Sequence, residues 1–231
     1  MSAKQEQQIM LSEELRTAVR LIKAGLCEIS RIDGANDFFH LPILLLSSGI
    51  ERFMKVVICC HYLELNKHFP DKSIFPKGKN GHDLVWLLNK ITNECFSDNY
   101  LKRIPAAQTD VNFLRSNERL TKIVKIISDF GQSARYYNLN VVLGDSNPGL
   151  SPDQEWGILE TEILQDDPTW KQRIVDPQQS HSVHQKINKE LMSRCERLLQ
   201  SLSRLFTIGG LGEFALQISF HTSTFLCLQD E

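Results

Sequence analysis

The chain has 231 residues, with 26 Lys and Arg against 28 Asp and Glu, a formal net charge of −2. That balance argues against a globally basic nucleic-acid binder and leaves only a local basic face open. Apolar residues make up 42% and charged residues 23%, an ordinary soluble composition in a chain long enough to bury a substantial core.

The first amphipathic pattern starts at Ser12, an N-cap before Glu13 and Glu14, and runs through Leu15, Val19, Ile22 and Leu26 to about Arg31. A turn follows at Asp33-Gly34-Ala35-Asn36, and Asn36 or Asp37 is placed to cap a central helix reaching about His68. The stretch from Pro70 to Gly81, with two prolines and three lysines, reads as a solvent loop leading into a helix from about His82 to Phe96. A third long helix is expected from Thr109 or Asp110 to about Leu143, with Leu120, Ile123, Val124, Ile127 and Phe130 on one side and Ala134, Tyr137 and Val141 continuing that face. Ser151-Pro152-Asp153 restarts a helix. Gln165 to Ser180 reads as irregular. Val183, Ile187, Leu191, Cys195, Leu198, Leu202 and Leu205 form a stripe of more than six turns. After Gly209, Gly210 and Gly212, a last helix reaches Leu226. The pattern defines an all-α bundle in one domain spanning 1–231.

The central helix carries an apolar run, LPILLLSSGI, that ends against Glu51, Arg52 and Lys55. Charges inside a helix apolar on nearly every face must be paired or line a cavity. Glu51 and Lys55 stand at i, i+4, the orientation that suits an ion pair. His82 and Asp83 open the next helix beside Lys72, Lys77 and Lys79, so an anion at that helix start competes with simple capping by Asn80, His82 or Asp83.

Six cysteines (Cys27, Cys59, Cys60, Cys95, Cys195, Cys227) form no CxxC pair and read as reduced thiols of a cytoplasmic protein. The opening MSAKQEQQIM lacks the apolar region of a signal peptide. The run before Glu51 is shorter than the ~20 residues a bilayer requires, so no membrane association is expected. Cys59-Cys60-His61 has the atoms for a nucleophile and base, but adjacent helical residues do not face each other. His181 and His184 stand three apart, with Asp176 as the nearest third ligand; capping histidines are the preferred reading, and neither a metal nor a cofactor is expected. Gly209-Gly210-Leu211-Gly212 lacks the preceding strand and following Lys of a phosphate loop and reads as a hinge. Two basic stripes, one of Arg115, Arg119 and Lys122 with Arg135 further along, the other of Arg194, Arg197 and Arg204, are diluted by Glu118, Glu190 and Glu196 and read as solvated faces. Were they to converge, they would make a phosphate-binding groove, with Tyr136 and Tyr137 available to stack on bases.

SSGIERFMK (Ser47 to Lys55), followed by KNGHDLVWLL (Lys79 to Leu88), resembles the helical HEPN superfamily, most closely its abortive-infection family V branch of phage-defence proteins. SARYYNL (Ser133 to Leu139) also resembles an Arg-Tyr segment of some HEPN-like proteins. The resemblance covers roughly Leu11 to Leu143. It implies an up-and-down helical bundle over 11–143, on which helices from 151–231 would pack. It also implies homodimers, binding of RNA or nucleotides, and in many members metal-independent ribonuclease activity in toxin–antitoxin or antiviral systems.

The family's catalytic Arg, followed after four to six residues by His, is missing here: Arg31 to His40, Arg52 to His61 and Arg173 to His181 are all too long. Acid–base cleavage of RNA needs a group titrating near neutral pH. The expectation is therefore a non-catalytic module that binds RNA, a nucleotide or a cognate protein through Glu51, Lys55, His82, Asp83, Arg135 and Tyr136. A ribonuclease rearranged around His82 and Arg135 is one alternative. The other is a structural subunit that dimerises through the Val183 to Leu205 stripe.

Overall fold

The computed structural model describes residues 2–33, 35–76, 78–145, 151–165, 167–176 and 179–226. Among them every regular element is helical, and none is long and apolar enough to cross a membrane. Leu139 to Leu143, the one stretch with a strand-like alternation, lies in the helical turn Tyr137–Val142 and just after it.

Helix α1 (Ala3–Ile29) starts nine residues ahead of the expected cap. Ser2 and Gln5 form a reciprocal capping box that satisfies the first amides, so the polar opening, rich in good helix formers, is helical from its start. Ser12 sits within the helix and meets His221 instead, Oγ to Nε2 at 3.0 Å. Helix α2 (His40–Asn66) lies antiparallel to α1: Gly25 approaches Leu46, Gly49 approaches Ile22, and Glu14 pairs with Arg52. Neither Asn36 nor Asp37 caps α2, because Asn36 is tied into the preceding turn through mutual backbone bonds with Asp33. The helix is not apolar-buried all round either; Leu41, Leu44 and Leu65 face outward.

The loop after α2 contains 3₁₀ turns at Lys72–Ile74 and Lys79–His82. It leads into α3 (Leu84–Glu94) and the short α4 (Asp98–Arg103). The expected third long helix is two helices, α5 (Pro105–Ser116) and α6 (Glu118–Gln132), broken at Asn117. Asn117 adopts an extended backbone and its side chain accepts from Leu120 N–H, ending one helix and capping the next. Past Gln132 come a 3₁₀ turn, Ala134–Tyr136, and α7 (Tyr137–Val142), whose Val141 is exposed rather than part of the core face.

Helix α8 (Pro152–Leu164) opens at Ser151 with a capping box, as the Ser-Pro-Asp signal implies. A short α9 (Trp170–Ile174) occupies the stretch read as irregular. Helix α10 (Ser180–Thr207) buries its whole stripe, with Leu198, Leu202 and Leu205 at 0% exposure. These residues are the interior of one chain, so the stripe is not available as a dimer interface. Gly209 and Gly212, at φ +78° and +86°, turn the chain as a hinge. The expected last helix is a series of short pieces: α11 (Glu213–Ile218), a 3₁₀ turn at Ser219–Thr222, and α12 (Ser223–Leu226).

One apolar cluster runs from Leu15 on α1 to Phe225 on α12, so the C-terminal helices share the core of the first half. Phe53 of α2 meets Phe206 and Phe225 edge-on, and Trp156 of α8 stacks on Phe39 at 5.1 Å. Each aromatic pair adds about 0.5–1.5 kcal/mol beyond area burial.

Candidate functional site

The polar island on α2 is real and has a third member. Glu51 Oε1 accepts from Lys55 Nζ at 2.7 Å and from His82 Nδ1 at 2.9 Å. The Glu51 and Lys55 side chains are three-quarters buried, whereas His82 is 62% exposed. Lys55 Nζ also lies 5.3 Å from the ring centre of Phe75, a cation–π contact that packs the loop against α2. A carboxylate only accepts, so the His82 proton sits on Nδ1, leaving Nε2 as the nitrogen without a partner among the described residues.

His82 ends the 3₁₀ turn Lys79–His82. The turn needs glycine at 81, because a Cβ there would collide with the Pro76 carbonyl oxygen. Asp83 then caps α3, accepting from Val85 N–H at 2.8 Å and Trp86 N–H at 3.3 Å. Ser128 of α6 accepts from Leu84 N–H, donates to Asp83, and accepts from Gln132. The first amides of α3 are therefore satisfied by the protein's own side chains, so of the two competing readings of this helix start capping by Asp83 holds, not an anion. Lys77 lies outside the described residues, as do the side chains of Lys79 and Asn80.

Arg135 and Tyr136 are not joined to this island. Both are exposed on the turn after α6, where the Arg135 guanidinium lies 4.9 Å from the Tyr136 ring centre. No contact links Arg135 to Glu51, Lys55, His82 or Asp83 among the described residues. The six expected residues thus divide into a bonded trio, a helix cap and a separate stacked pair.

Most of the basic stripes is spent on internal partners. Arg115 donates to the Thr92 carbonyl oxygen, and Lys122 grips Glu162. Arg197 and Arg204 reach Asp110, a residue at 0% exposure on α5, at 3.0 and 2.6 Å, and Ser201 donates to the same oxygen. Sequence reasoning missed this buried network. Its signal was present: Asp110 stands among Ala107, Val111 and Leu114, on the apolar face of its helix. Tyr100 lies near it, its hydroxyl pushed up to about 12 by burial and then by Asp110.

The remaining motifs resolve toward structure. Burial pushes the Cys59 thiol up to about 11 and the Cys60 thiol higher still, and it lowers His61. A thiol held protonated is no nucleophile. Cys27 is exposed, while Cys95 and Cys195 are buried; Cys227 lies outside the described residues. His181 and His184 line a cleft with Asp33 rather than Asp176, and no group of three or more metal-ligating residues occurs among the described residues.

The class that these observations define is an all-α protein with a carboxylate–histidine–lysine trio at a helix–loop junction. No protein-family model matches the sequence, and no curated protein or solved structure matches it.

Proposed function

We propose that the chain is a non-catalytic, HEPN-like helical module that binds RNA or a nucleotide at the Glu51–Lys55–His82 trio. Its setting would be phage defence or a toxin–antitoxin pair, acting as a homodimer or with a cognate protein. The observation that carries this reading is the trio itself: Glu51 holding Lys55 and His82 where charge interrupts the apolar run of α2. Both positions fall within the two segments that carry the HEPN resemblance. Lys55 supplies a cation for phosphate, and Phe75 beside it supplies a ring. The absence of the Arg–His catalytic spacing is what favours a non-catalytic module over a nuclease.

Alanine at Lys55 should weaken RNA retention on filters at least severalfold in salt-matched buffer. Unchanged binding in Lys55→Ala removes the proposal.

One observation favours a second reading, a metal-independent ribonuclease. A carboxylate bonded to Nδ1 orients an exposed imidazole with Nε2 available to move a proton. RNA cleavage in EDTA that disappears in His82→Ala would establish that reading over the first.

A further inference from the structure

A cleft of about 440 Å³ opens between α1 and α11, lined by Gln5, Gln8, Ile9 and Ser12 of α1 and by Phe214 and Gln217 of α11. The α1 residues recur at three- and four-residue spacing and so share one face; Phe214 and Gln217 do the same on α11. None of these side chains carries a formal charge, in a chain of which 23% is charged. We infer that this cleft binds a nucleobase, whether of a free nucleoside or unstacked from a single strand.

The amides are the first reason. Gln8 and Gln217 have no hydrogen-bond partner among the described residues, and Gln5 commits only its Oε1, to the Ser2 N–H in the cap of α1. A free carboxamide sets an acceptor beside a donor, the pairing that reads an exocyclic amine and its neighbouring ring nitrogen, as in adenine. Two such groups stand on different helices around one space, so two edges of a single flat ring can be bonded. Apolar surface stands with them. Phe214 is half-buried and packs edge-on against Phe69, centroids 6.3 Å apart at 80°, which fixes its orientation. Ile9 is 47% exposed, apolar area that the chain itself leaves uncovered. A base lays its flat face on such a surface and turns its edges to the amides. The charge balance does not suit a phosphate, whose recognition draws on cations. Ser12 bonds His221 at 3.0 Å, and burial lowers the titration of that imidazole, so it is neutral at pH 7. The volume is that of a small-molecule site.

The inference rests on this lining and not on the trio. Calorimetric titration of the full chain with adenosine should give saturable one-to-one binding, with AMP binding no more tightly and ribose not saturating. Gln8→Ala and Gln217→Ala should each weaken adenosine binding about tenfold, the loss of one bidentate base contact. Neither amide bonds to the rest of the described chain, so thermal melting should not fall in either variant. Phe214→Leu, which keeps apolar bulk but removes the ring, should weaken binding as well. Lys55→Ala should bind adenosine like the parent. A short single-stranded oligoadenylate that displaces adenosine supports a base within a strand as the occupant. Adenosine binding untouched by the oligonucleotide supports the free nucleoside. No saturable binding, or parental affinity in both glutamine variants, overturns the inference. So does saturation by ribose, tighter binding of AMP, or loss of adenosine binding in Lys55→Ala.

Discussion

Glu51 and His82, 31 residues apart, share a bond of 2.9 Å that pins the loop after α2 to the helix preceding it. The same carboxylate oxygen takes Lys55, so Glu51 is the node and the other two are spokes. Removing the node leaves a three-quarters-buried ammonium against Phe75 with no counter-charge. Glu51→Ala should cost about 1–2 kcal/mol, within the range for a charge-assisted bond lost at a partly exposed site. Hydrogen exchange offers the sharper measurement. Amides of 72–82 should exchange faster in the variant, whereas those of Val85 and Trp86 should not change, because Asp83 and Ser128 cap α3 without help from Glu51. Faster exchange spreading evenly through α3 would contradict this division.

Asp110 is the residue whose loss should hurt most. It is fully buried and receives Arg197, Arg204 and Ser201. Deleting the carboxylate removes the buried ion-pair partner that two mostly buried guanidiniums share, a change that costs about 3–5 kcal/mol. Urea unfolding of Asp110→Ala should show a large drop in midpoint, with Ser201→Ala costing only about 1 kcal/mol in comparison. Equal effects of the two substitutions would show that the charge is not what holds α5 to α10.

What the sequence disclosed depended on how local the cause was. The buried stripe of α10 follows directly from apolar spacing, and the Glu51–Lys55 pair from i, i+4 geometry. The break at Asn117 escaped, because Phe113 stands seven residues before Leu120 and the apolar spacing runs on across it. The early start of α1 escaped because Ser2 and Gln5 cap each other in a stretch with little apolar periodicity. The partners of Glu51, Asp110 and Ser128 lie 31, 94 and 45 positions away at their furthest. Such pairs are fixed by how helices pack, and no spacing rule within one helix reports them.

Two helical glycines should respond to alanine with opposite signs. At Gly49 an added Cβ would lie 2.7 Å from Ile22 Cγ1 and 2.9 Å from the Ile22 backbone nitrogen, where α1 and α2 are in close contact. The helix gains about 1 kcal/mol in propensity, but overpacking against backbone costs more, about 1–3 kcal/mol. Gly157, within α8, has nothing within 4 Å of such a Cβ. Gly157→Ala should raise the melting temperature and Gly49→Ala should lower it. Matching shifts in one direction would mean that the α1–α2 approach is looser than described.

Stability should also fall at alkaline pH, through the cysteines. Burial pushes the thiols of Cys95 and Cys195 up to about 12 and that of Cys59 to about 11. In the unfolded chain the same thiols ionise near their ordinary value of 9.0. The unfolded state therefore releases protons first. The stability these groups support is whole below pH 9 and declines as the pH rises from there toward their folded values, by up to about 1.4 kcal/mol per thiol per pH unit. Urea midpoints in reducing buffer should be nearly level from pH 7 to 8.5 and clearly lower at pH 10. Brief iodoacetamide treatment at pH 8 should label the exposed Cys27 and spare Cys60, Cys95 and Cys195 until the chain unfolds. A midpoint at pH 10 equal to that at pH 8, or native labelling of Cys195, would place these thiols in water rather than in the core.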